Sequence, residues 1–83
     1  MSTFEKLLLQ VLRGATDANI AFNDLRQLLL QLGFEERIKG SHHTFRRSGV
    51  IEKINLQKDG TKAKSYQVRQ VRNVIVKYRL GGK

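Results

Sequence analysis

The stretch FEERIKGSHHTFRRSGVIEKINL, residues 34–56, decides the fold of this 83-residue chain. Three segments in it, 34–39, 43–47 and 50–56, have the composition and alternating pattern of β-strands. Gly-Ser at 40–41 and Ser-Gly at 48–49 separate them, and connections this short require antiparallel hairpins. The stretch therefore predicts a three-stranded antiparallel sheet.

Helices are predicted on both sides of this stretch, two before it and one after it. Ser2, Asn23 and Ser65 are suitable N-terminal caps for the three helices. A polar loop over residues 57–64 is predicted to join the sheet to the last helix. Apolar residues recur at helical spacing in each helix: Phe4, Leu7, Leu8, Val11 and Leu12 in the first, Leu25, Leu28, Leu29 and Leu32 in the second, and Val68, Val71, Val74, Ile75 and Tyr78 in the third.

These elements predict a single α+β domain with the helices on one face of the sheet, because the apolar helix stripes need a surface to cover. The last helix contains four valines and an isoleucine, residue types that also suit a strand. The spacing of three and four between its apolar residues favours a helix. Arg69, Arg72 and Arg79 are predicted to lie along one flank of it.

The charge is unevenly distributed along the chain. Lysine and arginine number 16 against 7 acidic residues, a net charge of +9. Residues 1–36 have 3 basic and 5 acidic groups, whereas residues 37–83 have 13 basic and 2 acidic groups. A field of this size and asymmetry favours a polyanionic partner such as nucleic acid. A membrane surface is disfavoured, because no basic amphipathic helix has exposed aromatic residues on its apolar face.

Several function classes are disfavoured by composition. The chain has no cysteine, which excludes disulfides and thiolate zinc sites. It has no pair of acidic residues at metal-binding spacing and no glycine loop that could hold a nucleotide phosphate. The start lacks the basic region of a signal peptide, and no run approaches the roughly 18 apolar residues of a membrane span. We therefore expect a cytoplasmic protein without a metal or a cofactor.

Both histidines of the chain follow the predicted turn at 40–41. Side chains alternate across a strand, and Phe45 is expected to face the core. His43 should share the face of Phe45, which leaves His42 on the open side as the functional candidate. A shift of one residue in register would exchange these roles. The residue that would orient His42 stays open among Glu36, Glu52 and Thr44.

An exposed imidazole next to cations suits chemistry on RNA. The reference pKa of a histidine side chain is about 6.5, so an imidazole can exchange a proton near neutral pH. A base can remove the proton of the 2′-hydroxyl, whose oxygen then attacks the adjacent phosphorus without any metal. Cations and backbone amides would offset the charge that builds on the phosphate oxygens. The candidate RNA-binding residues are Lys39, Gly40, Ser41, Arg46 and Lys53.

Three segments resemble the HicA toxins of bacterial toxin–antitoxin systems. They are GSHHTF at 40–45, INLQ at 54–57 and KSYQVRQVR at 64–72. The resemblance covers roughly residues 22–80, so residues 1–21 are an additional N-terminal helix and loop. The chain also has a serine at position 65, where a proline often precedes the last helix in the family.

The resemblance implies a fold similar to the double-stranded-RNA-binding domain and a ribonuclease that acts on mRNA. It also implies that His42 is the catalytic residue and that a HicB-like antitoxin binds the protein and blocks its site. Two alternatives remain. One is an RNA-binding module without catalytic activity, since fold and charge would serve binding equally well. The other is an interaction protein whose basic face binds an acidic partner.

Overall fold

The structure, a computed structural model, describes residues 3–81, and the predicted cap Ser2 lies outside them. The fold is α+β, with two N-terminal helices, a three-stranded antiparallel sheet and a C-terminal helix, as the sequence predicts. No helix within residues 3–81 combines the length and the apolarity that crossing a bilayer demands. In chain order the elements are α1 (Thr3–Arg13), a 3₁₀ turn (Asp17–Asn19), α2 (Phe22–Gln31), β1 (Glu35–Lys39), β2 (His42–Arg46), β3 (Ile54–Leu56), β4 (Lys58–Asp59), β5 (Lys62–Ala63) and α3 (Ser65–Tyr78).

The main sheet has the strand order β1-β2-β3, with β2 in the middle. Lys39 of β1 lies opposite His42, and Leu56 of β3 lies opposite His43. Because β3 ends at Leu56, His42 has a strand neighbour on the β1 side alone. The predicted alternation along β2 is confirmed, since Phe45 is fully buried and His42 is exposed.

The core lies between the helices and one face of this sheet. Phe45, Ile54 and Leu56 of the sheet have no exposed surface. Burying a side chain of this size is worth roughly 1.5–3 kcal/mol, so the stripe of α3 gains far more from packing than its valines lose in helix propensity. The helix residues that are most fully buried are Val11, Phe22, Leu25, Leu28, Leu29, Val68 and Val71.

The start of α2 differs from the prediction. The helix begins at Phe22, so the predicted cap Asn23 lies inside it, and Ala21 occupies the cap position without a side-chain hydrogen bond. The backbone N–H of Phe22 instead donates to the carbonyl oxygen of Thr61, 3.0 Å away. A backbone carbonyl 39 residues away along the chain thus satisfies a free N–H of the first helical turn, as a side-chain cap would.

The start of α3 also differs by one residue. Ser65 is the first helical residue, and Lys64 occupies the cap position with no side-chain cap bond. The carbonyl oxygen of Lys64 accepts hydrogen bonds from the backbone N–H groups of Gln67 and Val68. The first turn is therefore closed by the backbone rather than by the serine hydroxyl.

A second hairpin stands where a polar loop was predicted. Strands β4 and β5 pair around a turn in which Gly60 has φ +65°. The backbone N–H of Ala63 donates to the carbonyl oxygen of Ile20 at 2.9 Å, which ties the hairpin to the segment before α2. Strands of two residues are too short for an alternating pattern, which explains why the sequence did not indicate them.

The third strand is shorter than predicted, because residues 50–53 lie outside the ladder. The C-terminal end of α3 holds this segment. The backbone N–H of Ile51 donates to the Tyr78 hydroxyl at 3.2 Å, and that hydroxyl donates to Glu52 at 2.6 Å. The side chain of Ile51 remains 87% exposed.

Candidate nucleic-acid interface

The turn between β1 and β2 sets the position of both histidines. Gly40 has φ +61° and Ser41 has a negative φ, the pattern of a type II′ hairpin turn with glycine at its first central position. A Cβ built on Gly40 would have no heavy atom within 4 Å. The backbone at Gly40 is therefore not covered by neighbouring atoms.

His42 is the first residue of β2 and is exposed, as predicted. Its cross-strand partner is Lys39, and directly opposed residues of an antiparallel pair have Cβ atoms about 4.5–5.5 Å apart. No hydrogen bond or salt bridge within residues 3–81 involves the imidazole of His42. His42 is thus an exposed imidazole next to a cation, without a protein group that fixes its ring.

The surface around His42, which we term the open face, is the face of the sheet that the helices leave uncovered. By strand alternation and pairing it contains Glu35, Arg37, Lys39, His42, Thr44, Arg46 and Asn55. All of these except the half-buried Thr44 are exposed.

The cations of the open face line a depression of about 360 Å³ together with Lys53, which directly precedes β3. The three predicted cations Lys39, Arg46 and Lys53 line it together with Arg37. His42 does not line the depression but is paired with Lys39, which does. None of these four cations forms a salt bridge within residues 3–81. Glu35 and Glu36 also line the depression, so four cations stand against two carboxylates, of which Glu36 is already bonded to Arg26. The net charge of the lining is therefore positive, which suits a phosphate backbone.

His43 lies on the other face of β2 and has specific partners. Its Nδ1 lies 2.7 Å from Oε2 of Glu36, and its ring meets the Phe22 ring edge-on at 4.9 Å. Arg26 of α2 grips the same carboxylate with two hydrogen bonds, from Nε at 2.6 Å and Nη2 at 2.7 Å. The side chains of Glu36 and His43 are only 10% and 14% exposed.

The hydrogen bonds from Arg26 lower the pKa of Glu36 from 4.5 to about 2; the bond to His43 adds to this effect, and burial opposes it. Glu36 is therefore ionised at neutral pH and can only accept hydrogen bonds. It accepts one from Nδ1 of His43, which fixes the proton on that nitrogen. The other ring nitrogen of His43, Nε2, has no hydrogen-bond partner within residues 3–81. No unpartnered side-chain N or O atom in that range is fully buried, so Nε2 keeps some contact with solvent.

None of the three residues proposed to orient His42 does so. Glu36 shares the face of Phe45, with which it is paired, and binds His43 instead. Thr44 donates to Oδ1 of Asn55 at 3.1 Å. Glu52 lies in the segment before β3 and contacts the C-terminal end of α3. Hydrogen bonds from Lys77 and from the Tyr78 hydroxyl lower its pKa to about 2.

Sequence reasoning missed two features that strand alternation could have indicated. Arg37 precedes Lys39 by two residues, so both lie on the open face. Glu36 follows the buried Phe34 by two residues, so it lies on the covered face with His43. Arg26 could not be assigned in this way, because its contact with Glu36 depends on how α2 is rotated against the sheet.

The arginines of α3 do not act as one group. Arg69 and Arg79 are exposed, whereas Arg72 is held by the N-terminal part of the chain. Nη1 of Arg72 donates to Asp17 at 2.9 Å and to the carbonyl oxygen of Val11 at 3.3 Å. Arg72 is therefore a structural residue rather than a free cation.

Comparison of this chain with protein-family models, with curated proteins and with solved structures gave no match.

Proposed function

We propose that this protein is a metal-independent endoribonuclease that cleaves mRNA, the toxin of a toxin–antitoxin pair. The observation that supports this best is the position of His42. It is an exposed imidazole paired across the strands with Lys39, one of four cations that line a depression together with Glu35 and Glu36 and that form no salt bridge within residues 3–81. On this proposal, proton exchange and phosphate binding, the two requirements of RNA cleavage, take place on the same face.

The reaction follows from the chemistry of RNA. His42 accepts the proton of a 2′-hydroxyl, and the 2′-oxygen attacks the adjacent phosphorus. The bond from phosphorus to the 5′-oxygen breaks, and that oxygen takes up a proton. Lys39 and Arg46 stabilise the negative charge that develops on the phosphate oxygens. The products are an RNA end with a 2′,3′-cyclic phosphate and an RNA end with a 5′-hydroxyl.

The resemblance of GSHHTF and the last helix to HicA toxins supports the same function. On this proposal the substrate places the protein in the cytoplasm, and a HicB-like antitoxin covers the open face. Such an antitoxin would contribute acidic groups to the depression, since its four cations must be neutralised in a stable complex.

The test is incubation of the purified protein with an RNA oligonucleotide in the presence of a chelator. We expect cleavage with cyclic-phosphate and 5′-hydroxyl ends. An oligonucleotide with a single 2′-deoxy residue at the cleavage position should resist, because it lacks the attacking oxygen. Cleavage that requires a divalent metal, or that proceeds equally well at the deoxy position, would contradict the proposal.

One observation favours a second candidate, an RNA-binding module without catalytic activity. No protein group within residues 3–81 holds the ring of His42, and the cations of the open face would bind RNA without it. This candidate predicts that RNA is bound but stays intact, and that His42→Ala leaves the affinity unchanged. If this protein binds an acidic partner but does not bind RNA, both candidate functions are excluded.

A further inference from the structure

His43 has the feature that His42 lacks, a ring held in one orientation. Its Nδ1 bonds to Glu36 at 2.7 Å, and its ring packs edge-on against Phe22 at an interplanar angle of 76°. Arg26 in turn fixes Glu36 through both carboxylate oxygens. The direction in which Nε2 of His43 points is therefore set by the fold.

The proton that His43 can exchange is on Nε2. The Glu36 carboxylate accepts the Nδ1 proton in both the neutral and the charged form of the ring, so that proton stays in place. Nε2 has no protein partner within residues 3–81 and keeps some contact with solvent, as described above. A carboxylate that orients one ring nitrogen while the other faces the reactants is a common arrangement in acid–base catalysis.

The two histidines can flank one phosphate. They are consecutive, with Cα atoms about 3.8 Å apart, and their side chains leave opposite sides of the strand. Strand β3 ends at Leu56, opposite His43, so His42 has no strand partner on the β3 side of β2. A phosphodiester at this position would have one imidazole on each side, as in-line displacement requires of a base and an acid.

A cation lies on the His43 side of this position as well. Nζ of Lys58 is 5.6 Å from the centre of the Phe22 ring, the same ring that contacts His43. The charged groups near His43 are thus Glu36, which bonds to its ring, Arg26, which bonds to Glu36, and Lys58, which contacts the same phenyl ring as His43. Lys58 is exposed and has no salt bridge within residues 3–81, so it can meet a phosphate oxygen.

We propose that His43 is the general acid of the cleavage reaction, a proposal that rests on the ribonuclease function given above. His42 takes the proton of the 2′-hydroxyl, and the bond between the 2′-oxygen and phosphorus forms. As the bond from phosphorus to the 5′-oxygen breaks, Nε2 of His43 gives its proton to that oxygen. Solvent then returns both imidazoles to their starting protonation states.

The test uses two RNA substrates that differ in one atom, the bridging 5′-oxygen or a sulfur in its place. Sulfur leaves as a thiolate, whose conjugate acid has a pKa near 8.5, so it needs no proton from an acid. We expect His43→Gln to slow cleavage of the oxygen substrate by about 10²- to 10⁴-fold and cleavage of the sulfur substrate by less than about tenfold. His42→Ala should be defective on both substrates, because the base acts on the 2′-hydroxyl.

Wild-type rates of His43→Gln on the oxygen substrate would overturn the proposal, as would an equal loss on both substrates. Thermal unfolding shows whether the variant is folded. If it is not, Glu36→Gln gives the same test, because it leaves the imidazole in place and removes the charge that orients it. We expect a loss of about 10- to 100-fold that is confined to the oxygen substrate, and the same rate as wild type would overturn the proposal. Failure of the wild-type protein to cleave either substrate would instead contradict the ribonuclease function itself.

Discussion

At the scale of single residues, two adjacent histidines differ in their chemistry because side chains alternate between the two faces of a strand. His42 and His43 differ in burial, in hydrogen bonding and in the face they occupy. Sequence alternation from Phe45 predicted this division correctly. It did not predict the partner of His43, since a helix residue, Arg26, is needed to hold Glu36 in place.

Glu36 should make folding stability sensitive to acid. Its pKa is about 2 in the folded protein and about 4.5 when unpaired, so the stability it contributes is present above pH 4.5 and is lost as the pH falls towards 2. We expect Glu36→Gln to lower the free energy of unfolding at pH 7 by roughly 1–3 kcal/mol and to flatten the acid dependence. Urea denaturation at pH 7, 4.5 and 3 measures both effects.

Glu35→Gln is the matched control, because Glu35 is exposed on the opposite face of the same strand. Removing an exposed charge there should change stability by less than about 0.5 kcal/mol. Glu52, whose pKa is also lowered to about 2, leaves some acid sensitivity in every variant. An equal loss of stability at pH 7 in the two variants would show that the bonds to Arg26 and His43 contribute nothing specific.

At the scale of elements, the N-terminal helix is fastened to the rest of the domain by α3. Arg72 donates to Asp17 and to Val11 of α1, and a Cβ at Gly14 would lie 2.8 Å from Nη1 of Arg72. Gly14 itself has φ +72°, so glycine is favoured there for its backbone as well. The sequence indicated the apolar stripe of α1 but not this polar contact, because its partners are more than fifty residues apart.

Arg72→Gln should therefore loosen the N-terminal segment. We expect a loss of roughly 1–3 kcal/mol, because the carboxylate of Asp17 and the carbonyl of Val11 lose a charged donor. Hydrogen exchange should report faster opening of α1 than of the sheet. Arg69→Gln, an exposed arginine three residues earlier on the same helix, should have little effect. Equal exchange in the two variants would contradict a fastening role for Arg72.

A helix or strand could be predicted from the sequence where its apolar residues recur at the spacing typical of that element. The three helices and the main sheet have such periods and were predicted in the right order. The strands of hairpin β4–β5 have only two residues each. The start of α2 is set by a hydrogen bond from the backbone N–H of Phe22 to the distant carbonyl oxygen of Thr61. Both features depend on contacts between remote segments, which a local pattern does not contain.

At the scale of the whole molecule, the fold determines which basic side chains are paired with acidic ones and which are left unpaired at the surface. The excess of basic residues after residue 36 was evident from the sequence. The structure places four of these cations around one depression on the open face, while Arg72 and Lys77 are neutralised by Asp17 and Glu52. Net charge alone could not distinguish free cations from paired ones, because pairing depends on the tertiary contacts.

RNA binding by this face should depend steeply on salt. Each phosphate contact to a single strand adds about 0.7 to the slope of log affinity against log salt concentration. Changing Arg37, Lys39, Arg46 and Lys53 together to glutamine should lower that slope by up to about 3. Lys77→Gln is the control, because Lys77 is already paired with Glu52. A slope unchanged in the fourfold variant would place RNA elsewhere on the protein.

The most direct measurement of the central claim is the single-turnover rate of RNA cleavage in a chelator by the wild-type protein, by His42→Ala and by Gln27→Ala, an exposed control on α2. We predict that His42→Ala lowers the rate by about 10²- to 10⁴-fold while the variant unfolds at the same temperature as the wild-type protein. Gln27→Ala should cleave at the wild-type rate. Undiminished cleavage by His42→Ala would contradict the account.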